Sequence, residues 1–369
     1  MRGSIQQRGL SSWRIRIERD RDANGKRKRH EETFRGTRKE AQKRLTELLA
    51  AGDGGTLADP SQVTVGEYLT GFLTNATHIS AKTLERYHEL AARQIIPHLG
   101  EIKLQKLRPE DLERWHKTLT NSGLSARTIR HAHRLLATML VRALENGVVN
   151  KNVAKIRKPP RVEQREVEIL RPEQIPGLLD ALTGSWVHPV ATLALASGMR
   201  RGELLALRWI DVDLDRSTVR VERSVEETKV HGLRAKSPKT KAGRRNFRID
   251  AEAVAVLRSH RAEQMRIRLE LGQGGKPELV FGTLEDELRS PDDLTSEWCR
   301  LRTVKKLPRV SFHSLRHTHV SILIRRGVDI LTISRRIGHT KASITLDVYG
   351  HLIDGNDDAA AKAMEGVLK

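Results

Sequence analysis

Two arginines, two histidines and a tyrosine, set in three separated segments, supply the side chains needed to break a phosphate diester without a metal ion. The segments are Ser197-Gly198-Met199-Arg200-Arg201-Gly202-Glu203-Leu204, His313-Ser314-Leu315-Arg316, and Gly338-His339 followed by Tyr349. Guanidinium forks suit the task of holding non-bridging oxygens as charge builds in the transition state. Arg200 and Arg316 stand among apolar neighbours, so each needs either an anionic ligand or an acidic partner. For Arg200 that partner could be Glu203 on its own helix, and Arg316 taken alone would read as a surface residue. His313 lies one helical turn before Arg316 and could reach the same phosphate, donating a hydrogen bond or assisting proton transfer. Tyr349 is one of only three tyrosines. Its phenol is a weak nucleophile until oriented and deprotonated, and an arginine-lined pocket is expected to favour the phenolate.

Histidines 317 and 319 follow closely, which raises the possibility of zinc. Arg316 beside them would repel a cation and Cys299 is the only thiol, so packing or phosphate-facing roles are the expectation for both, with no metal and no cofactor.

The order and spacing of these segments resemble the tyrosine recombinases of the phage-integrase type. Arg200 matches that family's first active-site arginine, His313 and Arg316 its His-x-x-Arg pair, His339 its later histidine and Tyr349 its nucleophile. Leu207-Arg208-Trp209-Ile210-Asp211 and Arg336-Ile337-Gly338-His339-Thr340 resemble the flanking segments. A single His-x-x-Arg box is weak, but the full set in order is specific. The resemblance implies a 3′-phosphotyrosyl link to DNA and a free 5′-hydroxyl, with a lysine on a β-hairpin protonating the leaving oxygen. Pro238-Lys239-Thr240-Lys241-Ala242-Gly243-Arg244-Arg245 resembles that hairpin, with Lys239 at the matching place. Lys241, two positions on and so on the same strand face, is the alternative.

These residues need a scaffold, and its composition suits a DNA-binding one. A formal charge of +21 favours polyanions, since phosphate contacts release condensed counterions. The length allows two or three domains. No apolar run long enough to cross a bilayer and no secretory leader is apparent, and a lone cysteine suits a reducing cytoplasm. For the resembling family that means a bacterial host cell and association with its nucleoid.

The fold expected is α+β and multi-domain. Residues 1–55 read as a small β-sheet with one helix: Trp13, Ile15 and Ile17 alternate with Arg14, Arg16 and Glu18, Asp22-Ala23-Asn24-Gly25 suits a hairpin turn, and Lys26 to Phe34 suits the return strand. Thr37 and Glu40 then suit a capping box opening a helix with Ala41, Leu45, Leu48 and Leu49 on one side. The first fifty residues hold 15 Lys or Arg against 7 Asp or Glu, so the exposed sheet face should be basic. Residues 62–150 read as four helices, the second ended by Pro97 and Gly100. Residues 151–168 read as an extended, basic, poorly packed linker. Residues 169–355 read as a mainly helical domain with a small antiparallel sheet, and 356–369 as a tail with helical spacing at Ala360, Met364, Val367 and Leu368.

By resemblance the first of these regions is an arm-type DNA-binding domain, the second a helical core-binding domain of SAM-like type and the fourth the catalytic domain. The second and fourth would clamp the crossover site in double-stranded DNA. The tail would dock on a neighbouring subunit or stay loosely held. A homo-tetramer on DNA, a DNA-bending accessory protein or an excision factor, and no membrane are the implied partners. Two rivals share much of the pattern: a type IB topoisomerase, which relaxes supercoils as a monomer, and a DNA-binding regulator that keeps the fold without the chemistry.

Overall fold

The computed structural model describes residues 2–21, 27–53, 61–163, 168–238 and 241–350, together with Lys362 and Glu365. Residues 1–164 and 165–369 form two units. The first begins with antiparallel strands β1 (Arg2–Gly9), β2 (Ser12–Arg21) and β3 (Arg27–Arg35), in that spatial order, followed by helix α1 (Arg38–Asp53). The alternation along β2 sends Ile15 and Ile17 into a small core with Leu45 and Leu48 of α1, flanked by Ile5, Phe34 and Leu49. Thr37 and Glu40 cap α1 reciprocally, with the Thr37 amide donating to the Glu40 carboxylate at 2.8 Å and the Glu40 amide to Thr37 Oγ1 at 3.3 Å. The basic face is partly neutralised, because Arg16 pairs with Glu31 at 2.7 Å, while on the opposite face Arg44 of α1 pairs with Glu32 at 3.1 Å. Strand β1 is an addition to the sequence reading. Ile5 is its only large apolar residue, and its place comes from backbone pairing with β2 rather than from a hydrophobic pattern. The turn at 22–25 lies outside the described residues.

Helices α2 (Val65–Thr74), α3 (Ala81–Leu90), α4 (Ile96–Leu99), α5 (Pro109–Asn121), α6 (Ala126–Glu145) and α7 (Val153–Ile156) enclose a second core. Capping explains where α2 and α6 begin. The Glu67 amide donates to Thr64 Oγ1 at 3.2 Å, and the Thr128 amide to Ser125 Oγ at 3.2 Å. Ile129, Ala132, Leu135, Leu136, Met139, Leu140 and Ala143 of α6 are all buried.

Two details depart from the sequence reading. Pro97 does not stop a helix: residues Ala91–Ile95 open into a π-helical turn that joins α3 to α4, and Pro97 sits in the first turn of α4. The wider turn removes the clash a proline ring makes with the carbonyl four residues back. Residues 151–156, read as extended linker, instead dock on the bundle. The Asn152 side chain accepts from the Ala154 amide at 3.0 Å and donates to the Ala137 carbonyl at 2.9 Å, which seats Val153 and Ala154 in the core.

His116 of α5 and His133 of α6 form a buried pair in this bundle, Nε2 to Nδ1 at 3.1 Å, and His133 Nε2 meets the Ala154 carbonyl at 3.0 Å. Burial, and then the neighbouring His133, push His116 down to about 4. The folded state therefore resists protonation. Its stability is fully present above the ordinary histidine value of 6.5 and falls as pH drops toward 4. The total penalty is about 3 kcal/mol. His116→Leu should retain at pH 5 more of its pH 7.5 stability than wild type does, measured by urea unfolding of the full chain at both pH values. Equal losses in the two proteins would remove the pair as the cause.

The second unit is built round helix α9 (Val187–Ser197), which is apolar on nearly every side and buried accordingly. Around it lie α8 (Gln174–Leu182), α10 (Arg201–Leu205), α11 (Ala251–Glu270), α12 (Pro291–Val304) and α13 (Ser314–Arg325). Strands β4 (Val212–Asp213), β5 (Thr218–Val221) and β8 (Arg245–Arg248) make an antiparallel sheet in the order β4-β5-β8, while β6 (Ser224–Thr228) and β7 (Gly232–Lys236) form a separate hairpin. Val219, Val221 and Phe247 face the main core with Leu204, Leu207, Trp298 and Leu315. Helices α14 (Ile330–Ile337) and α15 (Ala342–Tyr349) pack on the other side of α13 around a smaller core of Val320, Ile333, Ile337 and Tyr349. The fold is thus mainly helical with small antiparallel sheets, as the sequence indicates. Of the tail, 356–369, only Lys362 and Glu365 are described.

Candidate active site

Two left-handed glycines close the helices that carry the site. Gly198 caps α9 at φ 66° and Gly338 caps α14 at φ 69°. A Cβ on Gly198 would lie 2.7 Å from His319, and one on Gly338 would lie 2.9 Å from the Ala242 carbonyl, so both positions demand glycine for space as well as conformation. The carbonyls at these helix ends carry the negative end of the helix dipole and receive the arginines.

Arg316 is 3% exposed; it donates to the Gly198 carbonyl at 2.5 Å and to the Ile337 carbonyl at 2.7 Å. Arg200 donates to the next carbonyl along, Gly338, at 3.0 Å. The two guanidinia are therefore anchored on consecutive carbonyls of one helix end. Burial, followed by the charge of Arg200, draws Arg316 down to about 9, which still leaves it a cation at neutral pH.

Arg200 also bonds Glu203, at 2.8 Å through Nη1, and its own amide donates to the same carboxylate at 2.9 Å. The acidic partner weighed from sequence is real, but it is shared. Arg245 of β8, itself buried, holds Glu203 through both terminal nitrogens at 3.1 and 2.8 Å and reaches the Arg336 carbonyl at 2.7 Å. Burial raises the Glu203 carboxyl, but the Arg245 hydrogen bonds and charge outweigh it and hold the carboxyl below the usual range. Arg200 keeps 40% of its side chain exposed, enough to present its fork to a ligand. Arg201 turns away to the Pro291 carbonyl at 2.6 Å.

His313 sits at the surface as the residue before α13, its ring edge-on to His317 with centroids 4.8 Å apart. His317 Nδ1 lies 2.5 Å from the Tyr349 hydroxyl. His319 points elsewhere: Nδ1 donates to the Leu195 carbonyl at 2.7 Å and Nε2 accepts from Arg336 at 3.1 Å, tying α9, α13 and α14 together. His339 follows Gly338 directly, with Nδ1 2.9 Å from Oγ1 of Thr345, a buried residue one turn before Tyr349 on α15. Burial first, and neighbouring cations second, push His339 to about 4. His317 is also pushed to about 4, by burial and then by His313 and Arg316. Both rings are neutral at pH 7.

Tyr349 is 3% exposed, and burial raises its phenol to about 12 against the opposing pull of Arg316. The expected preference for phenolate is not met in the resting site, because desolvation outweighs one arginine at that range. Of the hairpin lysines, Lys239 lies outside the described residues. Lys241 belongs to a 3₁₀ turn, Lys241–Gly243, rather than to a strand, so the strand-face reasoning does not apply to it.

The structure thus brings Arg200, His313, Arg316, His339 and Tyr349 onto adjoining elements. Sequence reasoning missed Thr345 and Arg245 and gave His317 only a general role. The i, i+4 spacing of His313 and His317 was the available signal for the last.

Comparison with known proteins places the chain in a family. Residues 168–355 match the phage integrase family, and residues 64–120 match the phage integrase N-terminal SAM-like domain. A tyrosine recombinase XerC-like protein of Caldanaerobacter subterraneus subsp. tengcongensis is 28% identical, covering 98% of this chain and 97% of its own length. An integrase of Streptomyces ambofaciens is 30% identical over 90% of this chain and 88% of its own. Among solved structures, the Tn1549 transposon integrase in complex with transposon right end DNA superposes with a TM-score of 0.72 at 19% identity, covering 83% of this chain and all of that one. A lambda integrase tetramer bound to a Holliday junction gives 0.57 at 17% identity, covering 92% and 93%. These matches make the chain a DNA strand-breaking and rejoining enzyme, a tyrosine site-specific recombinase. It belongs to the phage integrase family.

Among the described residues no helix is long and apolar enough to cross a membrane.

Proposed function

We propose that this chain integrates and excises a phage or other mobile element by cutting and rejoining double-stranded DNA through Tyr349. The observation that carries the reading is the anchoring of Arg200 and Arg316 on consecutive carbonyls, Gly338 and Ile337, directly before His339 and on elements packed against the tyrosine helix. In this reading the two guanidinia hold the non-bridging oxygens of the scissile phosphate, where developing negative charge is stabilised without reorganisation. His313 and His339 donate hydrogen bonds to the same phosphate. If the Thr345 hydroxyl donates to His339 Nδ1, the neutral ring presents Nε2–H to the phosphate. Tyr349 attacks, a 3′-phosphotyrosyl bond forms, and Lys239 protonates the departing 5′-oxygen.

The assembly is proposed to be a homo-tetramer on crossover sites, with residues 1–55 gripping arm-type sites and with DNA-bending or excision factors assisting. The intracellular setting is the bacterial nucleoid. The test is strand exchange: purified protein is incubated with two duplexes carrying the element's joined ends and the chromosomal target, and recombinant strands are sought. Relaxation of supercoils without exchange would mean a topoisomerase, and DNA binding without covalent attachment would mean a regulator.

Two further outcomes follow from the assignment. Lys239→Ala should cleave an ordinary substrate slowly but recover on a 5′-phosphorothiolate, whose sulfur leaves without a proton; recovery by Lys241→Ala instead would move the role to Lys241. Removing residues 1–55 should leave cleavage of an isolated crossover site intact while integration collapses, because a second tethered site contributes through effective concentration. Unchanged integration by the shortened protein would reduce this region to a basic tether.

A further inference from the structure

A buried phenol held near 12 needs a proton acceptor before it can attack, and the general acid on the leaving group cannot serve both ends of the reaction. Among the described residues the Tyr349 hydroxyl has one hydrogen-bond partner, Nδ1 of His317 at 2.5 Å, with ring centroids 5.6 Å apart. His313, the histidine that the family pattern brings forward, makes no such contact. It lies edge-on to His317, with centroids 4.8 Å apart.

We propose that His317 is a further catalytic residue, the base that takes the phenol proton as Tyr349 attacks and returns it when the strand is rejoined. The inference rests on the reading of Tyr349 as nucleophile. The His317 ring is neutral at pH 7, so Nδ1 carries a free lone pair when its own proton sits on Nε2. A phenol that donates to Nδ1 is both aimed and ready to transfer its proton. In the forward step the Tyr349 oxygen bonds to phosphorus, the bond from phosphorus to the 5′-oxygen breaks, the phenol proton passes to His317 Nδ1, and the 5′-oxygen takes a proton from the general acid. The bound phosphate supplies the negative charge that offsets the imidazolium beside Arg316. Religation runs the same steps backwards, with the imidazolium protonating the departing tyrosine. His313, in edge contact, holds the plane of the His317 ring.

The location of His317 supports the role. Along α13, Leu315 faces the main core and Val320 the smaller one, so Arg316 and His317 emerge at the seam between the phosphate-holding elements and the tyrosine helix. A helix set this way fixes the distance between the base and the phosphate clamp.

The test is single-turnover attachment of full-length protein to a nicked duplex carrying the crossover sequence, read on denaturing gels. His317→Asn can still accept a hydrogen bond from the tyrosine but cannot take its proton. It should bind DNA normally in gel shifts yet attach roughly 10²- to 10³-fold more slowly, the usual range for loss of a general base. Replacing all three tyrosines with difluorotyrosine lowers the phenol's proton affinity. This should restore the variant at least about tenfold while changing wild type little, and a 5′-phosphorothiolate should not restore it. The other two tyrosines, Tyr68 and Tyr87, pack in the helical bundle far along the sequence from the site. If His317→Asn misfolds, His317→Gln carries the same measurements.

Attachment within threefold of wild type would overturn the proposal. So would rescue by the sulfur substrate, which would put His317 at the leaving group, or fluorotyrosine rescue of His313→Asn instead. Covalent attachment by Tyr349→Phe would defeat the nucleophile assignment on its own, whatever His317 does.

Discussion

Tyr349→Phe should bind its DNA as wild type does and never become attached to it. The ring packs with Val320, Ile333 and Ile337, contacts that phenylalanine preserves, and the only hydrogen bond lost among the described residues is the one to His317. Losing that bond at a half-buried histidine costs about 1 kcal/mol, too little to unfold the domain. The chemistry by contrast loses its attacking oxygen altogether. A substrate nicked near the crossover site traps the covalent product, so wild type should shift to a slow-migrating band on a denaturing gel and the variant should give none. A covalent band from the Phe protein would assign the nucleophile to another residue.

Glu203→Ala should produce the largest loss of stability. The Glu203 carboxylate is 4% exposed and serves Arg200 and Arg245 together, and Arg245 is itself 6% exposed at the side chain. Removing the anion leaves a buried guanidinium with, among the described residues, two carbonyls and the Phe247 ring but no counter-charge, and such uncompensated charge costs about 3–5 kcal/mol. For a domain of this size that lowers the melting temperature by roughly 10 °C. Cleavage should fall as well at temperatures where the variant remains folded, because among the described residues Arg200 then keeps only its bond to Gly338. Because the Glu203 carboxyl is held below its ordinary value, its contribution is present above the usual carboxylate range and is lost as pH falls through its lowered value. The melting temperatures of wild type and variant, well apart at pH 7, should therefore converge under acid conditions. A variant melting within 2 °C of wild type at pH 7 would mean that Arg245 finds other compensation.

Most of the site was legible because each motif is local. Arg200 with Glu203, and His313 with Arg316, announce themselves by their three-residue spacing at the start of a helix. Partnerships across the chain were not legible. The bond from Arg200 to Gly338 and that from Arg316 to Gly198 each span more than a hundred residues, and no periodicity encodes them. His317 illustrates the limit: its residue type and spacing raised metal binding or phosphate contact, and only the packing of α15 against α13 brings the tyrosine to it. The phenol's state was misjudged for a related reason. Counting arginines gives the sign of one effect, while burial, set by the whole fold, gives the larger opposing one. Strand β1, the π turn before Pro97 and the docking of α7 share a cause, since each is imposed by neighbours rather than by its own pattern.

Tyr349, the proposed nucleophile, belongs to the small core with Val320, Ile333 and Ile337 and not to the large one that supports α9 and the sheet. Cooperative opening follows hydrophobic clusters, and a cluster with four fully buried members opens at far lower free energy than a whole domain. An opening confined to this cluster would release Tyr349 while leaving Arg316 its bond to the Gly198 carbonyl. In the proposed reading, then, the attacking group and the helix end that anchors Arg316 rest on different packing clusters, so a change confined to α15 would reach the tyrosine without passing through the main core.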